Sequence, residues 1–317
     1  VKLEVSQKEA LTFLQYLVVD GDDYLTTLDT SINAINFYNI YTKKIKSSIH
    51  LNKIYHAIIP GNNDILAINL DSLIVINTLL NRVTLVDKSG DRLNEWNIKN
   101  YSDYSILSIS PGSRVIYKDY KFFLPTARKN ILIDDHLSLS KYYESTTNVI
   151  LDIHPNGSKE IKFFGRFPTT YKKESKNFYN FFPSFTIDNE NNIILSFNKD
   201  HKIMVYNNEG KLINEKIIKS RYIDEFKEIK FNEIRNFSSL TKYILSEPSY
   251  EKIVFDPFYD MYYRVVRHPI KNIMKEDGSL KTIFDSNFSI IFLDKELNIL
   301  DEIIFDSKEY YSPGLFP

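Results

Sequence analysis

Residues 262–269 hold the side chains of this sequence that are best suited to bind a ligand, in the run YYRVVRHP. Arg264, Arg267 and His268 lie there among aromatic and β-branched residues, which favour an extended strand. Alternate side chains of a strand point to opposite faces, so we expect Arg264 and Arg267 on different faces. An arginine between apolar neighbours needs a polar partner, because an unpaired buried charge is costly.

Two roles are open for Arg264. The structural role is a buried salt bridge to another part of the fold, for which Asp256 and Asp188 are candidate partners. The functional role is a contact with an anion or a carboxylate of a ligand. The structural role is the more frequent one for such residues. We keep Arg264, Arg267 and His268 as candidate ligand-binding residues.

Two further candidates lie in predicted loops. Asp200 and His201 are neighbours between two strand-like runs, where they could act as a general acid and base. Arg128 has a similar predicted position earlier in the chain. A solvated loop is the more common context for such residues. Nearby aromatic residues could stack on sugar rings, although core packing is their more frequent role: Tyr179, Phe181 and Phe182.

Motifs for metals, phosphates and nucleophiles are missing from the sequence. The six histidines have no close metal-ligand spacing, and there is no HExxH, GxSxG, GxGxxG or phosphate-loop motif. The acidic runs at 20–23 and 134–136 do not match a calcium loop, and turns are their expected role. We therefore predict no metal site and no cofactor.

Composition excludes several classes of protein. The 40 basic and 41 acidic residues balance, whereas nucleic-acid binders usually carry a basic excess, so we expect no nucleic-acid partner. The sequence has no cysteine, which excludes disulfides and thiolate chemistry. No apolar run reaches the roughly 20 residues that span a bilayer. Because the first residue is Val1, we expect a signal segment that was cleaved or left out.

A hairpin pattern recurs along the chain. Residues 85–95, 205–215 and 292–302 each place two strand residues before an Asp or Asn, and Gly, Gly or Leu three positions later. An aliphatic residue and an Asn/Asp–Glu pair follow. Asp and Asn bond the backbone two residues on, and Gly tolerates positive φ, so the pattern predicts a tight turn between strands.

These hairpins belong to units of about four strands, the size of a propeller blade. We place five such units at residues 13–51, 54–98, 106–165, 180–218 and 246–305. Residues 310–317 resemble the start of a sixth unit, whose outer strand could be residues 2–5. The predicted fold is one all-β domain over residues 1–317, a β-propeller with four-stranded antiparallel blades.

Two insertions interrupt the repeat. Residues 166–176 are polar and basic, which predicts a loop. Residues 220–246 carry apolar side chains with loose helical spacing, and Ser239 is placed to cap a short helix that runs to Leu245 before Pro248. We expect this insertion to cover a blade edge. The alternative is a lid over a ligand site.

Two stretches resemble the DUF4221 group of Bacteroidetes proteins. They are FPSFTID at 182–188 with NIILSF at 192–197, and YEKIVFDPF at 250–258 with YYRVV at 262–266 and the following His268-Pro269. The resemblance implies a six-bladed, TolB-like or NHL-like propeller that is exported and often lipid-anchored through an N-terminal cysteine. No such cysteine lies in this chain, so any membrane anchor would lie outside it. The group supplies no catalytic residues to carry over.

The expected function is therefore broad. We expect an exported, extracytoplasmic propeller that binds a small molecule, a glycan or a protein on its loop-rich face. The alternative is an enzyme that acts on an exported glycan or a similar substrate at the propeller channel. A cluster of Asp, His and Arg with perturbed pKa values would favour the enzyme.

Overall fold

The computed structural model describes residues 9–51, 63–97, 104–106, 115–128, 135–153, 159–174, 177–178 and 183–310. Within these residues, 21 strands form five sheets, and neighbouring strands are antiparallel throughout. Four sheets have four strands in chain order, and the third sheet carries a short extra strand.

The first three sheets lie in the N-terminal half of the chain. The first contains β1 Glu9–Val19, β2 Asp22–Asp29, β3 Ala34–Asn39 and β4 Lys44–His50. The second contains β5 Asn63–Asn69, β6 Ser72–Asn77, β7 Arg82–Asp87 and β8 Arg92–Asn97. The third contains β10 Ile116–Lys118, β11 Lys121–Arg128, β12 Thr146–Ile153 and β13 Lys159–Arg166, with β9 Tyr104–Ile106 paired to β11.

The last two sheets carry the candidate site described below. The fourth contains β14 Ser184–Ile187, β15 Ile193–Ser196, β16 Lys202–Tyr206 and β17 Leu212–Ile217. The fifth contains β18 Ser249–Asp256, β19 Met261–Arg267, β20 Phe288–Leu293 and β21 Ile299–Phe305.

The sheets are arranged as blades around a shared inner ring. The first strand of a sheet contacts the first strand of the next in three pairs: β1 with β5, β5 with β10, and β14 with β18. Second strands such as β6 and β15 are buried, whereas the fourth strands β8 and β17 are largely exposed. The hydrophobic core therefore fills the space between blades, and the predicted β-propeller with four-stranded blades is confirmed.

The predicted count of six blades is wrong. The part of the chain that the structure describes contains five blades, whose spans closely follow the five units read from the sequence. The fifth blade takes its outer strand β21 from its own final hairpin, and β1 is already the inner strand of the first blade. Residues 2–5 and 311–317, which were expected to build the sixth blade, lie outside the described residues.

The recurring hairpins have the predicted turn. The Oδ1 atom of Asp87 accepts hydrogen bonds from the backbone N–H groups of Ser89 and Asp91, both at 2.9 Å. Asn207 and Asp294 make equivalent bonds in their turns. The residue three positions later has positive φ in all three turns, including the non-glycine Leu297 at 61°. The side-chain oxygen and the left-handed residue together close the turn.

In the described part of the chain, four short α-helices depart from the strand repeat, in addition to a 3₁₀ turn at Ile283–Asp285. They are α1 His136–Tyr143, α2 Thr169–Glu174, α3 Phe231–Ile234 and α4 Phe237–Ser246. The predicted helix near Ser239 is α4, although its cap is Asn236, which accepts a bond from the Ser239 N–H. The loop predicted at 166–176 contains α2, because the fully buried Tyr171 fixes this segment in the core. Helix α1, capped by Asp135, was not predicted.

The turn glycines also set how closely blades pack, which gives a test. A Cβ atom at Gly90 (φ +77°) would lie 2.0 Å from the His50 carbonyl oxygen, where the second blade meets the first. Gly21 (φ +84°) has no atom within 4 Å of the same position. We expect Gly21→Ala to lower the free energy of unfolding by about 1 kcal/mol through backbone strain alone. Gly90→Ala should cost about 3 kcal/mol, because the overlap adds to the strain.

Urea unfolding of both variants measures this difference. Equal stabilities for the two variants would show that the approach of Gly90 to His50 does not constrain the packing of the blades.

Candidate functional site

Arg264 in β19 is the largest fully buried side chain of the described residues. Its Nε atom donates to Ser196 Oγ at 2.9 Å, and Nη2 donates to the Asp200 carbonyl at 2.7 Å. Nη1 donates to the carbonyls of His201 at 3.0 Å and Ile218 at 2.6 Å. One guanidinium of the fifth blade thus orders three carbonyl oxygens of the fourth blade and the segment after it.

The partners of Arg264 differ from those expected. Its guanidinium carbon lies 3.3 Å from the ring centre of Tyr250, a cation–π contact. The expected salt bridge to Asp256 or Asp188 is absent from the described residues, because both carboxylates bind groups at their own turns and a nearby tyrosine hydroxyl. Burial lowers the pKa of Arg264 to about 10, so the side chain remains protonated at pH 7.

We call the residues that contact the Arg264 guanidinium the cage around Arg264: Ser196, Asp200, His201, Ile218 and Tyr250. This cage fixes the loop between β15 and β16. The N–H of Lys199 donates to the Tyr171 hydroxyl at 3.0 Å, and the Asn198 carbonyl accepts from the Tyr250 N–H at 3.0 Å. Tyr171 of α2 and Tyr250 of β18 are therefore both bonded to the start of this loop, and Arg264 bonds to its end at Asp200 and His201. The backbone of Lys199 is therefore held in place independently of its side chain.

A pocket of about 230 Å³ opens beside this loop. It lies between the loop, helix α4 and the adjoining ends of β18 and β19. We call it the basic pocket, because it has two cationic side chains and one carboxylate. Its principal lining residues are Asn198, Lys199, Tyr243, Ser249, Glu251 and Arg267.

Lys199 is 3% exposed although it carries an amine. Its Nζ atom donates to the Pro248 carbonyl and lies 5.5 Å and 5.6 Å from the ring centres of Phe226 and Tyr243. No carboxylate of the described residues lies within 4.0 Å of this nitrogen. Burial, assisted by the charge of Arg267, lowers the pKa of Lys199 to about 7. The amine is thus close to half neutral at pH 7.

Arg267 is the second cation of the basic pocket and is 8% exposed. Its Nε atom donates to Glu251 Oε1 at 2.8 Å, and Nη2 donates to Ser249 Oγ at 3.0 Å. The buried Nη1 atom has no hydrogen-bond partner among the residues described. A buried guanidinium nitrogen without an acceptor needs an explanation, such as a bound water or ligand.

Asp200 and His201 are more buried than the expected solvated loop. Asp200 is 6% exposed and accepts from the Lys202 N–H at 2.6 Å, while His201 Nδ1 lies 2.7 Å from the Tyr250 hydroxyl. Burial, with the nearby charge of Arg264, lowers the pKa of His201 to about 4, so the ring is neutral at pH 7. The two side chains share no hydrogen bond in the described structure, and their acid–base role stays a prediction.

His268 belongs to a different network. Its Nε2 atom lies 2.9 Å from Ser289 Oγ, which in turn donates to Glu302 Oε1 at 2.7 Å. Glu302 also accepts from Ser220 Oγ at 2.6 Å and from the Arg221 N–H at 2.7 Å. Burial lowers the pKa of His268. This network fastens the start of the 220–246 insertion to the fifth blade.

The remaining candidates are not brought to the basic pocket. Arg128 ends β11 in the third blade, where its backbone pairs with Tyr104, and so is not in a loop. Residues 20 and 21 form the turn between β1 and β2, as predicted, and Asp135 caps α1. Three further residues, proposed for stacking on sugars, lie outside the described residues: Tyr179, Phe181 and Phe182.

Arg267 was predicted from the sequence as a ligand-binding residue, whereas Lys199, the other cation of the basic pocket, was not. Lys199 directly precedes Asp200 and His201 in a polar loop, where lysine is ordinary. Lys199 differs from an ordinary loop lysine because its side chain is buried and pairs with no described carboxylate. This burial is produced by the packing of α4 and the fifth blade against the loop. The only local sign is that this lysine lies two residues after the apolar run ILSF at 194–197.

The blades, their contact through first strands and the repeated turns define this molecule as a β-propeller. The chain belongs to the family described as Domain of unknown function (DUF4221), whose profile matches residues 8–304. No curated protein matches the chain.

Two solved structures show the same fold. A DUF4221 family member from Bacteroides vulgatus is 20% identical, with a TM-score of 0.78 over 98% of this chain and 86% of that chain. A candidate exported protein from Bacteroides fragilis is 12% identical, with a TM-score of 0.51 over 97% of this chain and 75% of that chain. Among the described residues, no helix has the length and apolar character needed to cross a bilayer.

The cage around Arg264 predicts a large loss of stability on its removal. Arg264→Met should lower the free energy of unfolding by about 3 kcal/mol or more, because the Asp200 carbonyl loses its donor and the carbonyls of His201 and Ile218 each lose one of two. Arg92→Met is the matched control, since the exposed Arg92 makes only a surface ion pair with Glu95. It should cost under about 1 kcal/mol. Urea unfolding measures both, and similar losses would contradict the structural role of Arg264.

Removal of the Lys199 amine should stabilise the protein, whereas removal of Arg264 destabilises it, and the gain in stability should depend on pH. Its pKa is about 7 when folded, against the ordinary 10.5, so between these values the unfolded chain binds more protons. The stability of the wild type should therefore rise with pH through this window. Lys199→Met should be the more stable protein at about pH 6, with a smaller difference at about pH 9.

Urea unfolding at the two pH values checks this result. Lys202→Met is the control, because Lys202 lies nearby but pairs with Glu215 at 2.8 Å. A wild type that is more stable than Lys199→Met at about pH 6 would rule out a cost of burying this ammonium.

Proposed function

We propose that this protein is an exported propeller that binds a small carboxylic acid in the basic pocket. The observation that carries the proposal is the buried Nη1 atom of Arg267, which has no acceptor among the described residues. It lies beside the Lys199 amine, whose hydrogen bond is to the Pro248 carbonyl rather than to a described carboxylate. Two cations with spare donors in one pocket suit an anionic ligand. The proposal keeps the binding role expected from the sequence and gives it a place.

A carboxylate suits the pocket better than a phosphate. Glu251 already occupies one edge of the Arg267 guanidinium, which leaves a single nitrogen for a ligand oxygen. A charge-assisted bond from that nitrogen matches one carboxylate. A dianionic phosphate would need more donors than the pocket lining supplies. The volume of about 230 Å³ suits a small molecule rather than a polymer.

Export is supported by relatives rather than by the pocket. The propeller from Bacteroides fragilis with the same fold is described as a candidate exported protein. The family resemblance read from the sequence points the same way. In an exported propeller, the basic pocket would sample small acids outside the cytoplasm.

The alternative of a glycan-cleaving enzyme has less support. Glycoside hydrolysis generally uses a pair of carboxyl groups on either side of the scissile bond. Among the described residues that line the basic pocket, Glu251 is the only carboxylate, and its salt bridge to Arg267 keeps it occupied. At the basic pocket, binding therefore accounts for more of the geometry than hydrolysis does.

Isothermal titration calorimetry tests the proposal with acetate, lactate, succinate, glucuronate and inorganic phosphate. We expect at least one carboxylate to bind with a Kd below about 1 mM. Arg267→Met should weaken this binding about 10- to 100-fold, because a charge-assisted hydrogen bond is lost. Arg267→Lys should recover only part of the affinity, since an ammonium cannot reproduce the planar fork.

Arg92→Met serves as the control and should bind like the wild type, because Arg92 lies on the exposed outer strand of the second blade. Binding of phosphate alone would show that the ligand class is wrong. Equal affinities of the wild type and Arg267→Met would remove the basic pocket from the proposal.

A further inference from the structure

We propose that Lys199 forms an imine with a small 2-oxo acid whose carboxylate is held by Arg267. This inference rests on the proposed function and adds to it a substrate class and a covalent step. The chemistry requires a neutral amine, a site for the carboxylate and a cavity that both of them line. The basic pocket offers each of these.

The amine of Lys199 is placed for such a reaction. It lines the pocket, is held through one hydrogen bond to the Pro248 carbonyl, and is otherwise surrounded by the rings of Phe226 and Tyr243. The nearby Lys202, by contrast, is paired with Glu215. Lys199 has no such carboxylate among the described residues, so its nitrogen is not committed to an ion pair.

The charges around Lys199 favour the neutral form. Burial has the largest effect, and the positive charge of Arg267 acts in the same direction. The carboxylates of Glu247 and Glu251 oppose it but do not outweigh it, and the result is a pKa of about 7. Burial raises the pKa of Tyr243 on α4, so this phenol stays neutral and adds no charge at pH 7. A cation beside a desolvated lysine is a known way to obtain a nucleophilic amine.

Arg267 explains why the carbonyl compound should be a 2-oxo acid. A carboxylate on its free Nη1 atom would bring the adjacent carbonyl carbon into the same pocket as Lys199. A ketone without the acid group would lack this anchor. A carbonyl compound bound beside the amine reacts faster than a free one, mainly because binding raises its effective concentration at the amine.

The covalent step is balanced without an oxidant or a reductant. The lone pair of the neutral Nζ atom forms a bond to the carbonyl carbon, and the carbonyl π electrons move to oxygen. The carbinolamine then loses the oxygen together with the two hydrogens of the amine as one water molecule. The product is an imine between Lys199 and the oxo acid, and hydrolysis reverses the step.

Reductive trapping tests this inference. The full chain is incubated with pyruvate and sodium borohydride at about pH 7, and the intact mass and peptide map are measured. We expect one reduced adduct on the peptide that contains Lys199. Lactate has the same carboxylate without the carbonyl, so it should give no adduct. Acetone lacks the carboxylate and should react much more slowly than pyruvate.

Variants assign the adduct to the pocket. Lys199→Met should abolish it, whereas Lys202→Met should not change it. Arg267→Met should lower the yield with pyruvate about 10-fold or more, but not the slow reaction with acetone. The yield in the wild type should rise between about pH 6 and about pH 8 as the amine loses its proton.

The outcomes separate this inference from the proposed function. Pyruvate that binds in calorimetry but leaves no adduct on Lys199 overturns imine formation and leaves carboxylate binding intact. Adducts spread evenly over exposed lysines also overturn it. Failure of pyruvate to bind overturns the imine. If acetate, lactate, succinate and glucuronate also fail to bind, carboxylate binding at the basic pocket is overturned with it. All these results are read on wild-type protein and do not depend on the folding of a variant.

Discussion

The burial of Arg264 without a carboxylate is the constraint on which this side of the propeller depends. A guanidinium removed from water is costly unless its donors are used, and here four protein oxygens and a tyrosine ring compensate it. The carbonyls at Asp200, His201 and Ile218 lie outside strands. Arg264 bonds all three, and the carbonyls of His201 and Ile218 accept a second bond from the Ile218 N–H and the Tyr250 hydroxyl. The cation and the loop therefore satisfy each other, and the fourth and fifth blades are fixed in one arrangement.

The buried arginines also affect the protonation of neighbouring side chains. The charge of Arg264 helps to hold His201 in its neutral form, and the charge of Arg267 does the same for Lys199. The two arginines act in different surroundings, as strand alternation predicted. Arg264 bonds to the fourth blade, whereas Arg267 bonds to Glu251 and Ser249 of its own blade and lines the pocket. One strand thus contributes both a fully bonded cation and a pocket-lining one.

The blade boundaries were predictable because they rest on local chemistry. An Asp or Asn and a left-handed residue three positions later form a turn in any context, so the hairpins at Asp87, Asn207 and Asp294 could be read directly. The sixth blade was inferred from family likeness and from pairing the chain ends, neither of which is local. The partners of Arg264 and the burial of Lys199 depend on contacts between blades, and no spacing in the sequence encodes them.

The three buried cations differ in how many of their donors are bonded, and this difference distinguishes a structural side chain from candidate ligand-binding ones. Arg264 has a protein partner for each of its three nitrogens, so replacing it can only damage the fold. Lys199 and Arg267 are nearly as buried, yet one lacks a counter-ion and the other has a free nitrogen. Folded proteins depart from full satisfaction of polar groups mainly at functional sites, because stability alone would remove such groups. Among the described residues, Lys199 without an ion-pair partner and Arg267 with an unbonded nitrogen share one pocket, beside a fully bonded Arg264, and this contrast is what supports the proposed anion site.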